Sequence, residues 1–194
     1  KFDILFEAQY RLLNKPMSPI EFYKILTPIT AKIGCGHTAV WMPEGFWLAG
    51  LQHLFPLKIH FVEDKVVVEN RYNLNSEVER GSILHSINGV SIEKILNEMR
   101  SNYSADAFNI HFINAQIERR FALIYARRFG FREKFRIEYT SPDGEFTSRK
   151  IEPAVNSAVR KDVFSNFQQP PLKMELMDNS TAIMRIQTFG YYDK

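Results

Sequence analysis

The chain has 194 residues, 45% of them hydrophobic and 13% aromatic, which is ample for one or two compact units. With 25 basic against 22 acidic residues, the net charge of +3 carries no whole-chain signature of nucleic-acid or anionic-membrane binding. A single cysteine, Cys35, excludes an intrachain disulfide framework, and no stretch approaches the roughly 18 consecutive apolar residues of a membrane span.

The chain begins with Lys1 and not with Met, so an upstream segment such as a signal peptide is expected to have preceded it. Phe2, Leu5, Phe6, Tyr10 and Leu13 recur at helical spacing until Asn14, Lys15 and Pro16 break the pattern. Ser18, Pro19 and Glu21 then place an N-cap, an N1 proline and an N3 glutamate at the start of a second helix. Ile20, Tyr23, Leu26 and Ile33 fit its buried face, Pro28 is expected to kink or restart it, and Gly34 stops it. Beyond Gly34-Cys35-Gly36, residues His37 to Met42 read as extended. The aromatic segment Phe46 to Phe55 has no decisive period.

From Leu57 the rhythm becomes that of strands. Leu57, Ile59 and Phe61 alternate with Lys58, His60 and Val62, and Glu63-Asp64 turns the chain into Val66-Val67-Val68. A polar loop over Asn70 to Arg80 leads to a strand from Gly81 to Ile87, closed by an Asn88-Gly89 turn. Ser91 caps a helix with apolar positions Ile92, Ile95, Leu96 and Met99, and Asn102 to Asn109 is irregular. In the next helix, Ile117, Phe121, Ile124, Tyr125 and Phe129 share a face, leaving Arg119, Arg120, Arg127 and Arg128 to a solvated one. Phe135, Ile137 and Tyr139 alternate, Ser141-Pro142-Asp143-Gly144 is a turn, and Phe146 to Ile151 returns as a strand. Pro153 to Leu172 has the composition of a linker. Thr181 to Phe189 reads as a strand whose backbone needs neighbours, so the natural chain is expected to continue.

Few residue constellations carry chemistry. Between Glu118 and Arg136 there are seven basic residues (Arg119, Arg120, Arg127, Arg128, Arg132, Lys134, Arg136) and two acidic ones (Glu118, Glu133). Because Phe121, Tyr125 and Phe129 fall on one helical stripe, they are expected in the core and not as base-stacking partners, and no nucleic-acid partner is expected. Cys35 and His37, two residues apart, make neither a thiol dyad nor a zinc site, which takes about four ligands. Cys35 is expected as a small buried apolar group, and His53 and His60 stand at no ligand spacing. No metal and no cofactor are expected.

The order of elements resembles the N-terminal half of the tail-specific (C-terminal-processing) serine peptidases. The resemblance rests on two helices, the segment Gly34, Gly36, His37, Thr38, a hairpin, a Gly-x-Ile-x-x-x-Asn-Gly segment and a capped helix. Gly81, Ile83, Ile87, Asn88 and Gly89 match a PDZ segment, with one residue fewer between glycine and isoleucine and Ser82 where aspartate is common. Ala182 to Phe189 is similar to the first strand of the peptidase domain. Residues Ser101 to Glu133 exceed what a minimal PDZ domain requires.

The resemblance implies an α+β chain in three parts. These are an N-terminal helical unit (1–56), a PDZ-like partly open β-barrel with a helical insertion (57–153), and a linker with the first strand of a truncated peptidase domain (154–194). It implies a peptide or protein substrate, with Gly81, Ile83, Ile87, Asn88, Gly89, Ile92 and Ile95 as peptide-binding residues. It also implies an extracytoplasmic location in a bacterial periplasm or cell envelope, and a possible membrane tether upstream of Lys1. The family's nucleophilic serine lies beyond the first peptidase strand, so this chain alone is expected to be inactive and the longer protein a serine endopeptidase. In the tricorn-like branch, a histidine ahead of the PDZ-like domain is the general base, a role His37 would fill. The other reading of His37 is a loop-orienting hydrogen-bonding group, and that is the expectation for the isolated chain. A free-standing PDZ-like binding module without protease activity is the alternative function. Oligomeric state is not legible.

Overall fold

A computed structural model describes residues 1–164, 172–178 and 180–186. The chain divides into two compact units, Lys1–Val159 and Arg160–Lys194. The first is a mixed α+β unit built on an open antiparallel sheet that does not close into a barrel.

Three helices lead in. In α1 (Phe2–Tyr10), which lies against α2, no residue is fully buried, and Phe2, Ile4, Phe6 and Tyr10 stay exposed. The expected reach to Leu13 stops at Tyr10. Helix α2 (Pro19–Ile33) begins in the anticipated capping box: Ser18 Oγ accepts from the Glu21 amide at 3.3 Å, and Glu21 Oε2 accepts from the Ser18 amide at 2.8 Å. Pro28 lies inside α2 without ending it. The aromatic segment of undecided period forms α3 (Glu44–Ala49), which buries Phe46 against Phe131 at a centroid distance of 4.6 Å. Gly50 follows because a side chain there would collide with the Phe131 ring.

The sheet consists of β1 (Leu57–Val62), β2 (Lys65–Arg71), β3 (Ile83–Ile87), β4 (Val90–Ser91), β5 (Phe135–Thr140) and β6 (Phe146–Ile151). Its order is β1-β2-β3-β5-β6, with β4 paired to β3 through the Asn88-Gly89 turn. Asn88 at φ 52° and Gly89 at φ 77° supply the two left-handed residues that a two-residue hairpin demands. Between β4 and β5 the chain makes α4 (Ile92–Ser101), capped as anticipated by Ser91 Oγ on the Lys94 amide. A short 3₁₀ turn (Asp106–Phe108) and the long α5 (Ile110–Phe129) follow.

Helix α5 organises the core. Phe121 and Tyr125 project onto Phe55, which is wholly buried, at centroid distances of 5.3 and 5.8 Å, and Phe135 from β5 closes the cluster at 5.3 Å from Phe55. These separations lie in the range where aromatic pairs attract beyond simple area burial. The expected solvated face of α5 is absent along its second half: residues 121–126 are all buried and Arg119, Arg120, Arg127 and Arg128 are half-buried. The hydrophobic period located the sheet-facing stripe but could not show that α2 and α4 pack on the other side.

Within the segment read as a linker, Asn156–Phe164 forms helix α6, in which Val159 is fully buried, and the division between the two units falls inside that segment. Val155, Val159 and Val163 hold the helical spacing that the surrounding prolines disguised. In the second unit, β7 (Leu172–Leu176) pairs antiparallel with β8 (Ala182–Ile186). The strand anticipated over 181–189 thus has a neighbour, and its last residues lie outside those described. Among the described residues no helix is long and apolar enough to cross a membrane.

Removing the ring at the centre of the cluster should be costly. Phe55→Ala is expected to lower unfolding stability by about 3–5 kcal/mol. Leu74→Ala, at a side chain 83% exposed, should change it by less than about 0.5 kcal/mol. Urea midpoints at unchanged slope check both.

Candidate functional site

The segment after α2 is fastened to the turn before α5. Gly34 caps α2 at φ 68°, and its carbonyl accepts from the Ala107 amide at 3.1 Å, while the Gly36 amide donates to Asp106 Oδ1 at 2.6 Å. A side chain at Gly34 would lie 3.0 Å from the Phe108 ring, so glycine answers to both conformation and space. Ala107 (φ 50°) and Phe108 (φ 61°) are consecutive non-glycine residues in the left-handed region, which costs about 1–2 kcal/mol each. That strain accompanies the placement of Asp106, which joins Cys35 and His37 in a cluster whose ligand-capable atoms lie within 4.8 Å of one another.

The chemistry available there differs from the sequence expectation. Cys35 is half-buried and is not a buried apolar group; the Thr38 side chain and the His37 backbone hydrogen-bond to it and hold its thiol pKa below the usual value. His37 and Asp106 are exposed. An imidazole beside a carboxylate is the pairing by which a general base is oriented. Three donors fall one short of a closed structural zinc site. Asp106 was invisible in the sequence because it lies 70 positions from Gly36.

The PDZ-like residues are mostly woven into the sheet. Gly81, at φ 92°, donates its amide to the Val68 carbonyl at 2.9 Å. Ile83 is half-buried and pairs with Val67 and Thr140; Ile87 is fully buried opposite Ile137. Asn88 exchanges hydrogen bonds with Arg136, its amide donating to the carbonyl at 2.6 Å and its Oδ1 accepting from the amide at 2.9 Å, and Gly89 completes the turn. On α4, Ile95 is fully buried and Ile92 half-buried. Strand β3 is therefore flanked by β2 and β5, and the outer strands are β1 and β6. On β1, the Phe61 amide is already taken by Glu118 Oε2 at 2.8 Å.

A cavity of about 250 Å³ opens between α2, residues 36–41, residues 102–104 and α5. Arg120 and Arg127 both reach its wall. Arg127 stands over the Trp47 ring at 5.2 Å, and Arg120 occupies a non-helical step in α5 (φ −123°, ψ 21°). The Nε atoms of both are buried with no hydrogen-bond partner, whereas Arg128 Nε donates to Glu98 Oε1 at 2.6 Å. Burial raises the pKa of Tyr23 on the same wall, with Arg127 acting in the opposite direction.

Sheet order and helix placement together give a mixed α+β fold that is similar to part of a solved protease structure. The similar solved structures are of CPAF, a chlamydial serine protease of the tail-specific type. Mature CPAF complexed with lactacystin matches with a TM-score of 0.51 at 12% identity, covering 86% of this chain and 31% of that one. A point mutant of CPAF matches with a TM-score of 0.51 at 14% identity over 76% of this chain and 27% of that one. At such identities the likeness is one of fold, and this chain spans less than a third of the CPAF chains. No protein-family model matches the sequence. No curated protein matches it either.

The lowered Cys35 pKa has a kinetic consequence. More thiolate at neutral pH means faster alkylation, so iodoacetamide should modify Cys35 in the folded chain at a lower pH than it modifies a free cysteine. Thr38→Val, which removes the leading hydrogen bond, should move the rate–pH midpoint upward. An unmoved midpoint would assign the shift to the backbone alone.

Proposed function

We propose that this chain is the N-terminal, non-catalytic region of a secreted serine peptidase of the tail-specific type, located in a bacterial cell envelope. Within it, the β1–β6 sheet with α4 is a PDZ-like element that presents or gates a peptide substrate. The single observation that carries the reading furthest is the placement of Asp106 beside His37, with ligand-capable atoms within 4.8 Å. The fold likeness to CPAF supports the same class. A general base needs a carboxylate or carbonyl neighbour to fix its tautomer, and the strained 106–108 turn holds such a group against the 35–37 loop. In this proposal His37 takes the proton of a serine hydroxyl supplied by a later domain, Asp106 orients the imidazole, and the chain alone hydrolyses nothing.

Peptide binding by strand addition requires an open sheet edge, and β6 offers one. It is the outermost strand beside β5, and Phe146 on it is 63% exposed. A free-standing binding module would use the same edge with no need of His37.

The test uses the longer natural protein. His37→Ala should lower kcat at least a hundredfold with an unchanged Tm, and Asp106→Asn should lower it less while shifting the acidic limb of the pH–rate profile. Wild-type turnover in His37→Ala would remove the catalytic reading and favour the binding module.

A further inference from the structure

The arginine cavity lies beside the candidate base and is unexplained by it. Gly36 and Thr38, on either side of His37 in sequence, both line the cavity, so the two features share one loop. Its charge is one-sided. Arg120 and Arg127 contribute two guanidinium groups, and none of the lining residues is acidic. Asp106 stands outside the lining with Oδ1 engaged by the Gly36 amide, and Glu98 is committed to Arg128. Both arginines are half-buried with no acidic group in the wall, and each Nε–H left unpartnered there forgoes a hydrogen bond.

The remaining wall narrows the ligand. Hydroxyl groups of Tyr23 and Tyr103 can complete an oxyanion's hydrogen bonds, while Val40, Trp41 and Phe112 offer apolar contact for an uncharged remainder. The volume of about 250 Å³ is below the roughly 300–1,000 Å³ of sites that enclose a whole drug-sized ligand. Such a cavity admits one residue of a longer ligand. Planar, forked Arg donors match a planar carboxylate.

We infer that this cavity is a specificity pocket for a carboxylate of a bound peptide, held between Arg120 and Arg127. The inference rests on the peptide-substrate reading above and adds the chemistry of one recognised residue. The carboxylate is either an acidic side chain or a free C-terminus, and both meet the same two guanidinium groups.

Four fluorescent pentapeptides of one sequence decide it: a free acid with internal Gln, its C-terminal amide, the amide with Glu in place of Gln, and the free acid with Glu. Anisotropy titration of the purified chain should show the carboxylate-bearing peptides binding at least tenfold more tightly than the uncharged amide. The arm that gains the factor identifies the source. Arg120→Gln and Arg127→Gln should each erase the preference, so that charged and uncharged peptides bind alike. Arg127 also packs on Trp47, so Arg127→Lys is measured beside it and should retain part of the preference. In the unaltered chain, the arginine Nε–H resonances of residues 120 and 127 should shift with the carboxylate peptides alone. Equal affinities for charged and uncharged peptides, or a preference that survives both Gln variants, would overturn the pocket while leaving peptide binding intact. Failure of all four peptides to bind at millimolar concentration would overturn the pocket and the peptide-substrate reading together.

Discussion

Everything on the helical side of this molecule follows from α5 being buried on two faces. One face must meet the sheet, because Phe121 and Tyr125 complete the cluster around Phe55. The opposite face meets α2 and α4, yet it carries Arg120, Arg127 and Arg128. Guanidinium groups cannot be neutralised by shedding a proton, so each must find a partner or keep a route to water. Arg128 does so through Glu98, and Arg127 through the Trp47 ring and the Tyr23 hydroxyl. Arg120, at the step in the helix, is left aimed at a cavity. Placing charge where it is incompletely satisfied is tolerable when a ligand of opposite sign completes it.

The same helix fixes the candidate base. Its N-terminus follows directly from the 106–108 turn, and Asn109 Oδ1 caps it by accepting from the Phe112 amide at 3.1 Å. With that turn anchored, Asp106 and the Ala107 amide reach back to Gly36 and Gly34 and immobilise the loop bearing Cys35 and His37. One element therefore positions both the carboxylate beside His37 and the arginines beside the cavity. The left-handed Ala107 and Phe108 mark where backbone comfort gives way to that placement.

Local features were legible in the sequence. The capping box at Ser18, the Asn88-Gly89 turn, the Ser91 cap and the two hairpins each depend on residues a few positions apart, and each stands where the pattern put it. Features that depend on distant packing were not. The α5 arginines lie off the apolar stripe, and no period reveals a second layer of helices above them. Asp106 is remote from His37 in sequence, and Val155, Val159 and Val163 were masked by flanking prolines. Cys35 misled because a small thiol is usually buried, whereas here a loop hydrogen-bonds it at the surface.

The proposed role of His37 requires a serine to arrive beside it. The direct measurement is heteronuclear NMR of the imidazoles in the longer natural protein before and after reaction with a fluorophosphonate probe. Phosphonylation of a single serine should shift the His37 ring signals and leave those of His53, His60, His85 and His111 in place. Labelling that leaves His37 unmoved, or no labelled serine at all, would contradict the role.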